Sequence, residues 1–117
     1  MHKVAKDSKK LEHQLKQILY EYAIERLDIF STKLGKEYAS LTIRKAKSRR
    51  GSCSHHQKIM LNLALVFLPR EYIQYVIAHE AAHLVEKNHS TAFWTLVNNL
   101  FPDYYEVRKR LKKLMVD

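Results

Sequence analysis

His79-Glu80-Ala81-Ala82-His83, followed six residues later by His89, is the stretch around which this chain is organised. On a helix, residues four apart are separated by roughly 400° of rotation, so His79 and His83 share one face, one above the other. Two imidazoles placed like this can share one small metal ion. Glu80, next to the first of them, can bring its carboxylate to a metal-bound water without ligating the metal itself. His89 sets a condition. Carried on in the same helix it would lie roughly 240° around from His83 and face away. It joins the other two only if the helix ends between them and the chain turns back.

The window is not a product of composition. With 7 histidines in 117 residues, His-Glu-x-x-His arises in roughly three per cent of shuffled chains, and a third histidine at a named position lowers this about sixteen-fold. The competing reading is a pair of core histidines satisfied by hydrogen bonds. Three neutral imidazoles with an open fourth position describe a catalytic zinc site, because structural sites are closed by four protein ligands, often thiolates. The chemistry that follows is amide hydrolysis by metal-activated water, with Glu80 as general base.

Outward from the motif, Pro69 starts a helix well at its first position, and the helix is expected from Arg70 to Lys87. Tyr72, Ile73, Val76, Ile77 and Leu84 supply its apolar face. Asn88 reads as a left-handed stop, and Ser90 as the cap of a further helix with Phe93, Leu96, Val97 and Leu100 as its stripe. Pro102 breaks that helix. Asp103 opens a last one through Met115, with Tyr104, Val107, Leu111 and Leu114 facing in.

On the other side, residues 1–7 read as a flexible basic lead-in, and a long helix is expected from Ser8, capped by Asp7 or Ser8. Leu11, Leu15, Ile18, Tyr22 and Ile29 make its apolar stripe, widened by Leu19, Ala23, Phe30 and Leu34. Gly35 ends it. Leu41 and Ile43 alternate with Thr42 and Arg44, the period of a half-buried strand. Residues 48–57 read as a connecting loop, and 59–63 as a second strand, paired most simply with the first as an antiparallel hairpin. Leu65–Leu68 is apolar and of undecided type. The expected fold is α+β and mainly helical: a long N-terminal helix, a small antiparallel hairpin or sheet, an active-site helix and C-terminal helices, in one domain over residues 1–117.

Composition bounds the rest. Two glycines and two prolines suit a helical chain, and the single cysteine, Cys53, excludes an internal disulfide. No apolar run is long enough for a membrane span, so a soluble cytoplasmic protein is expected, with no membrane partner. Net charge is +9, clustered at Arg44, Lys45, Lys47, Arg49 and Arg50, and again from Arg108 to Lys113. Such clusters either attract polyanions or acidic substrates or serve as solvated faces.

Several separated blocks resemble the YgjP-like zinc metallopeptidases, a branch of the zincins related to SprT-like proteases. They are Leu41–Arg44, Ser48–Ser54, Ile59–Asn62, Tyr75–Glu80, His83-Leu84, Asn88–Ser90 with Phe93-Trp94, and Pro102–Tyr104. The resemblance implies a compact zincin-like fold with His79, His83 and His89 on Zn2+ and Glu80 as base. It also brings in the nucleoside triphosphate pyrophosphatase activity assigned to some YgjP-like proteins. The chain departs from the family pattern at Arg50, where tryptophan is usual, and at Ala81, where a large aliphatic residue is usual. One helix also replaces the N-terminal β-rich part of longer relatives. A metzincin assignment fails because Glu86 stands where its turn needs glycine.

Three functions stay open at this point: a peptidase acting on a peptide or protein substrate, a metal-dependent nucleotide pyrophosphatase, and a nucleic-acid-associated SprT-like module. Arg44, Arg49 and Arg50 are the candidate contacts for substrate or polyanion, and Tyr104 (or Tyr105) a candidate oxyanion donor against a packing role. Cys53 reads as a packing thiol rather than a nucleophile, His55 and His56 as solvated, and Phe93 and Trp94 as core. Glu86 and Asn62 are candidates for orienting a ligand. The oligomeric state is not set by the sequence.

Overall fold

The computed structural model describes residues 2–114, with side chains from Asp7 onward. Met1, the side chains of the expected basic lead-in, and the expected helix end at Met115 lie outside the described residues. The first helix, α1, runs His2–Leu34. It therefore starts earlier than expected, and Asp7 and Ser8 lie inside it rather than capping it. The run up to Leu34 holds no glycine or proline, so nothing before Gly35 interrupts the ladder. At about 1.5 Å per residue, these 33 residues account for the 52 Å long axis of the molecule. Gly35, at φ 67, ends α1 with paired bonds from Lys36 N to Ser31 O and from Gly35 N to Thr32 O, which satisfy the last carbonyls.

The face that α1 buries is centred on the residues expected only to widen its stripe, joined by Leu27. Leu19, Ala23, Leu27 and Phe30 point into the core, whereas Ile18 is 58% and Leu11 55% exposed. Both stripes have helical spacing, and tertiary packing decides between them. Each side chain fully buried on the chosen face contributes about 1.5–3 kcal/mol.

Three short strands follow: β1 (Ser40–Arg44), β2 (Gly51–Cys53) and β3 (Lys58–Asn62). Their order is β1-β3-β2. Here the simple hairpin is corrected. β1 runs parallel to β3, and the stretch read as a connecting loop contains β2, which is the antiparallel partner of β3. Alternation of Leu41 and Ile43 with polar residues decides which face is buried, not which way the strand runs. Leu41 sits beside Ile59, and Ile43 beside Leu61, so the parallel register buries the same four side chains. The β2–β3 turn closes through Gln57, whose φ is 63.

Asn62 leaves β3 and caps the 3₁₀ turn Leu63–Phe67, its side chain accepting from Ala64 N; that turn is the segment of undecided type. Next come α2 (Arg70–Ala82), α3 (Thr91–Leu100) and α4 (Tyr104–Leu114). Ser90 caps α3 as expected, accepting from Phe93 N. The core lies where α1, the sheet and α4 meet α2, whose Tyr75, Val76, Ile77, Ala78, Ala81 and Ala82 are buried. The fold is thus α+β and mainly helical, and its central helix carries the histidine motif.

Candidate active site

α2 ends at Ala82, well before Lys87, and His83 is its C-cap. Asn88 is not the left-handed residue expected, since Gln57 has the single non-glycine positive φ among the described residues. The helix stops by tightening instead. Bonds run from His83 N to Glu80 O, Leu84 N to Ala81 O and Val85 N to Ala82 O, the short-range pattern that satisfies terminal carbonyls. Leu84 O is taken by Gln57 Nε2 from the β2–β3 turn at 3.3 Å, and Glu86 O faces His83 Nδ1 at 2.9 Å. The chain so folded brings His89 back to His83. The ligand atoms of His79, His83 and His89 all lie within 4.8 Å of one another.

Hydrogen bonding settles which nitrogens face inward. A carbonyl only accepts, so His83 Nδ1 carries the proton toward Glu86 O, and neutral His83 has its lone pair on Nε2. That Nε2 is 3.1 Å from His89 Nε2. Two ring nitrogens so close share a proton or face a common cation. Zn–N bonds of about 2.0–2.1 Å in a tetrahedron put nitrogens about 3.3 Å apart, so the donor set fits a small tetrahedral ion. His79 Nδ1 lies 3.2 Å from the Tyr75 hydroxyl, leaving its Nε2 for the metal. Phe93, fully buried, stacks on His83 with ring centroids 4.4 Å apart and meets His79 and His89 edge-on. Phe93 is core, as expected, and also the apolar floor of the triad. Burial lowers the pKa of His83, against the hydrogen bond to Glu86, which raises it; the ring is held neutral, the form a metal needs.

Glu80 lines a cleft of about 550 Å³ together with Tyr75, the three histidines and residues 48–53. It is buried, and Gly51 makes room for it. A Cβ on Gly51 would come within 3.1 Å of Glu80 Oε2 and 2.8 Å of Met60 O. The sequence marks this glycine, but its reason lies across the fold.

A family model for the YgjP-like metallopeptidase domain matches residues 2–114. This chain belongs to that family. Its fold is similar to the metallopeptidase zymogen abylysin of Pyrococcus abyssi, at a TM-score of 0.69 and 28% identity, over 78% of this chain and 92% of that one. It is likewise similar to the metallopeptidase zymogen jannalysin of Methanocaldococcus jannaschii, at 0.68 and 25% identity, over 80% and 97%. A UTP pyrophosphatase of Escherichia coli (strain K12) is 35% identical over 52 residues; the match covers 43% of this chain and 31% of that protein.

Other expected site residues of this YgjP-like domain are placed unevenly. Arg49 and Arg50 line the cleft, whereas Arg44 at the end of β1 does not. Arg50, in the position where tryptophan is usual, is 8% exposed. Tyr104 stacks on Trp94, centroids 5.5 Å apart, and does not line the cleft. The phenol that reaches a histidine is Tyr75, to which the sequence reading gave no role beyond the block Tyr75–Glu80. Burial pushes its pKa up to about 12, against nearby Arg50 and Arg108. Asn62 does not touch a histidine ring; its amide donates to Ala46 O and Arg49 O and pins the basic loop to the sheet. Glu86 does orient His83, through its backbone. Cys53 is half-buried, its pKa raised by burial, and His55 and His56 sit exposed in the β2–β3 turn. Among the described residues, no helix is long and apolar enough to cross a membrane.

Proposed function

We propose that this metallopeptidase-family domain is a zinc-dependent peptidase in which His79, His83 and His89 hold the metal and Glu80 is the general base. One observation carries the reading: His83 Nε2 and His89 Nε2 converge at 3.1 Å while His83 Nδ1 is committed to the Glu86 carbonyl. Bound there, zinc would supply Lewis acidity and lower the pKa of a coordinated water to roughly 7. Glu80 accepts the proton of the attacking water and hands it to the leaving amine. Its burial beside Gly51 holds the carboxylate in one place while this happens. Tyr75 and Glu86 keep the first two rings turned toward the metal, as partners of ligating histidines do. β2 is an edge strand beside the cleft, and an extended peptide can add to its free edge by main-chain hydrogen bonds.

Metal analysis of purified protein beside Glu80→Gln tests this. Both should carry one zinc per chain, and only the wild type should cleave peptides. Protein that binds no zinc would end the proposal.

The partial match to a UTP pyrophosphatase supports a second reading, in which the basic loop at Arg49 holds phosphates. Against it, the chain has no P-loop, and magnesium chemistry favours carboxylates over three histidines. Release of pyrophosphate from UTP that is lost in Glu80→Gln would favour it; release that survives would separate that activity from this site. Neither reading depends on nucleic acid. Binding of single- or double-stranded DNA at low salt, where electrostatic attraction is strongest, tests that partner separately.

A further inference from the structure

The ionisable groups on the cleft wall apart from the histidines and Tyr75 are Arg49, Arg50, Lys87, Cys53 and Glu80. Three are cations, and they are not spread evenly. Arg50 is buried in the wall, so its charge reaches the cleft as a field. Arg49 is exposed at the start of β2, and its guanidinium has no partner among the described residues. Its backbone is fixed all the same, because Arg49 O accepts from Asn62 Nδ2 at 2.8 Å.

Lys87 stands at the opposite end of the same strand. Its Nζ donates to Gln57 Oε1 at 2.6 Å and to Ser54 O at 3.2 Å, and lies 3.9 Å from Cys53 Sγ. All three partners are neutral, so the positive charge is uncompensated. The thiol contact is the weakest of the three, which leaves one N–H for an incoming acceptor. An ammonium already held by two strong bonds loses little freedom on gaining a third.

Between the two cations lie about four or five residues of extended chain, or roughly 13–16 Å at about 3.3 Å each. Glu80 approaches β2 within this span, at Gly51, and the histidines line the same cleft. A peptide added along β2 would therefore meet a cation at each end and the reacting groups in the middle. We infer that the cleft selects peptides carrying acidic side chains on both sides of the scissile bond, about four residues apart, with Arg49 taking one and Lys87 the other. The inference rests on the peptidase reading and adds the substrate class to it.

The test uses fluorogenic octapeptides of one backbone with Glu, Gln or Lys placed in pairs four apart. Cleavage is measured with the zinc-loaded wild type, and binding with zinc-loaded Glu80→Gln by fluorescence anisotropy. Doubly acidic peptides should exceed doubly neutral ones about tenfold or more in kcat/KM at low salt, and the difference should shrink in 1 M salt. Arg49→Glu should transfer the preference at one end to lysine. Lys87→Glu should do so at the other end, and Lys87→Arg should retain the acidic preference. Arg49→Glu removes no contact within the chain, so its result stands even if Lys87→Glu disturbs the turn that carries His89. Neutral or basic peptides bound and cleaved as well as acidic ones, or a ranking that Arg49→Glu leaves unchanged, would overturn the inference while leaving the peptidase reading intact. Binding to Glu80→Gln that ranks acidic peptides first, with no cleavage by the wild type, would support the selectivity and remove the peptidase reading.

Discussion

Gly51→Ala separates the shape of the cleft from its metal. The added Cβ would lie 2.8 Å from Met60 O and 3.1–3.2 Å from the Glu80 carboxylate and Cγ. Ordinary contacts of this kind are about 3.5 Å, so something must yield by roughly half an ångström. Met60 O belongs to β3, which is held on both sides by β1 and β2 and has the least freedom. β2 or the Glu80 side chain moves instead. Overpacking of this size costs about 1–3 kcal/mol, which a urea midpoint resolves. A base displaced by half an ångström from its water is expected to lose about ten- to a hundredfold in rate. The three histidines proposed as ligands all come from α2 and the turn after it, so zinc content should stay at the wild-type level. The expected result is therefore kcat/KM down at least tenfold, zinc unchanged and the midpoint lowered. Gly35→Ala is the control: Gly35, unlike Gly51, has a positive φ of 67, but nothing lies within 4 Å of the new Cβ. It should lose about 1 kcal/mol of stability and no activity. Wild-type kcat/KM and stability in Gly51→Ala would refute the close approach of β2 to Glu80.

Tyr75→Phe keeps the buried ring but removes the oxygen opposite His79 Nδ1; zinc affinity should fall about 10–100-fold in chelator competition, and an unchanged affinity would deny Tyr75 that role. In metal-free protein the lowered pKa of His83 means that the unfolded chain binds the proton more readily. Its contribution to stability should be complete above about pH 6.5 and lost as pH falls through the folded value; thermal melts between pH 5 and 7.5 should show this slope, and His83→Gln should flatten it. Leu27→Ala, at a residue 1% exposed, should cost about 2–5 kcal/mol, while Ile18→Ala should stay within about 0.5 kcal/mol. Equal losses at the two positions would mean that α1 buries the other stripe.

The pairing of His79 with His83 was legible because i, i+4 spacing on a helix is a property of a short window. So was the requirement that the helix end before His89. The manner of ending was not legible: Asn88 carried the local signal for a left-handed stop, but Gln57 reaches across 27 residues to Leu84 O, and no local pattern encodes that contact. The hairpin error has the same origin. Alternation at Leu41, Ile43, Ile59 and Leu61 reports burial, whereas strand direction depends on where Gly51–Cys53 inserts. Tyr75 was given no role because nothing local separates it from Tyr72 until its hydroxyl is seen beside His79. On α1 two stripes competed on equal terms, and the shape of the sheet and α2 chose between them.

The three histidines fall within 11 consecutive residues, from His79 to His89. A metal joining them closes a loop that the turn at Ala82–Glu86 has already nearly closed, so it restricts the unfolded chain very little. Zinc fingers fold only with their ion, because so short a chain buries too little apolar surface without it. Here α1, the sheet and α4 are assembled around α2 mainly by apolar contact, with polar bonds such as Gln74 to Tyr22 added. On the zinc-peptidase reading, architecture and reactivity are thus set by separate variables: the first by burial, the second by how much zinc the surroundings supply. A protein of that kind would wait fully folded in a zinc-poor environment and become active within the time that an ion takes to arrive.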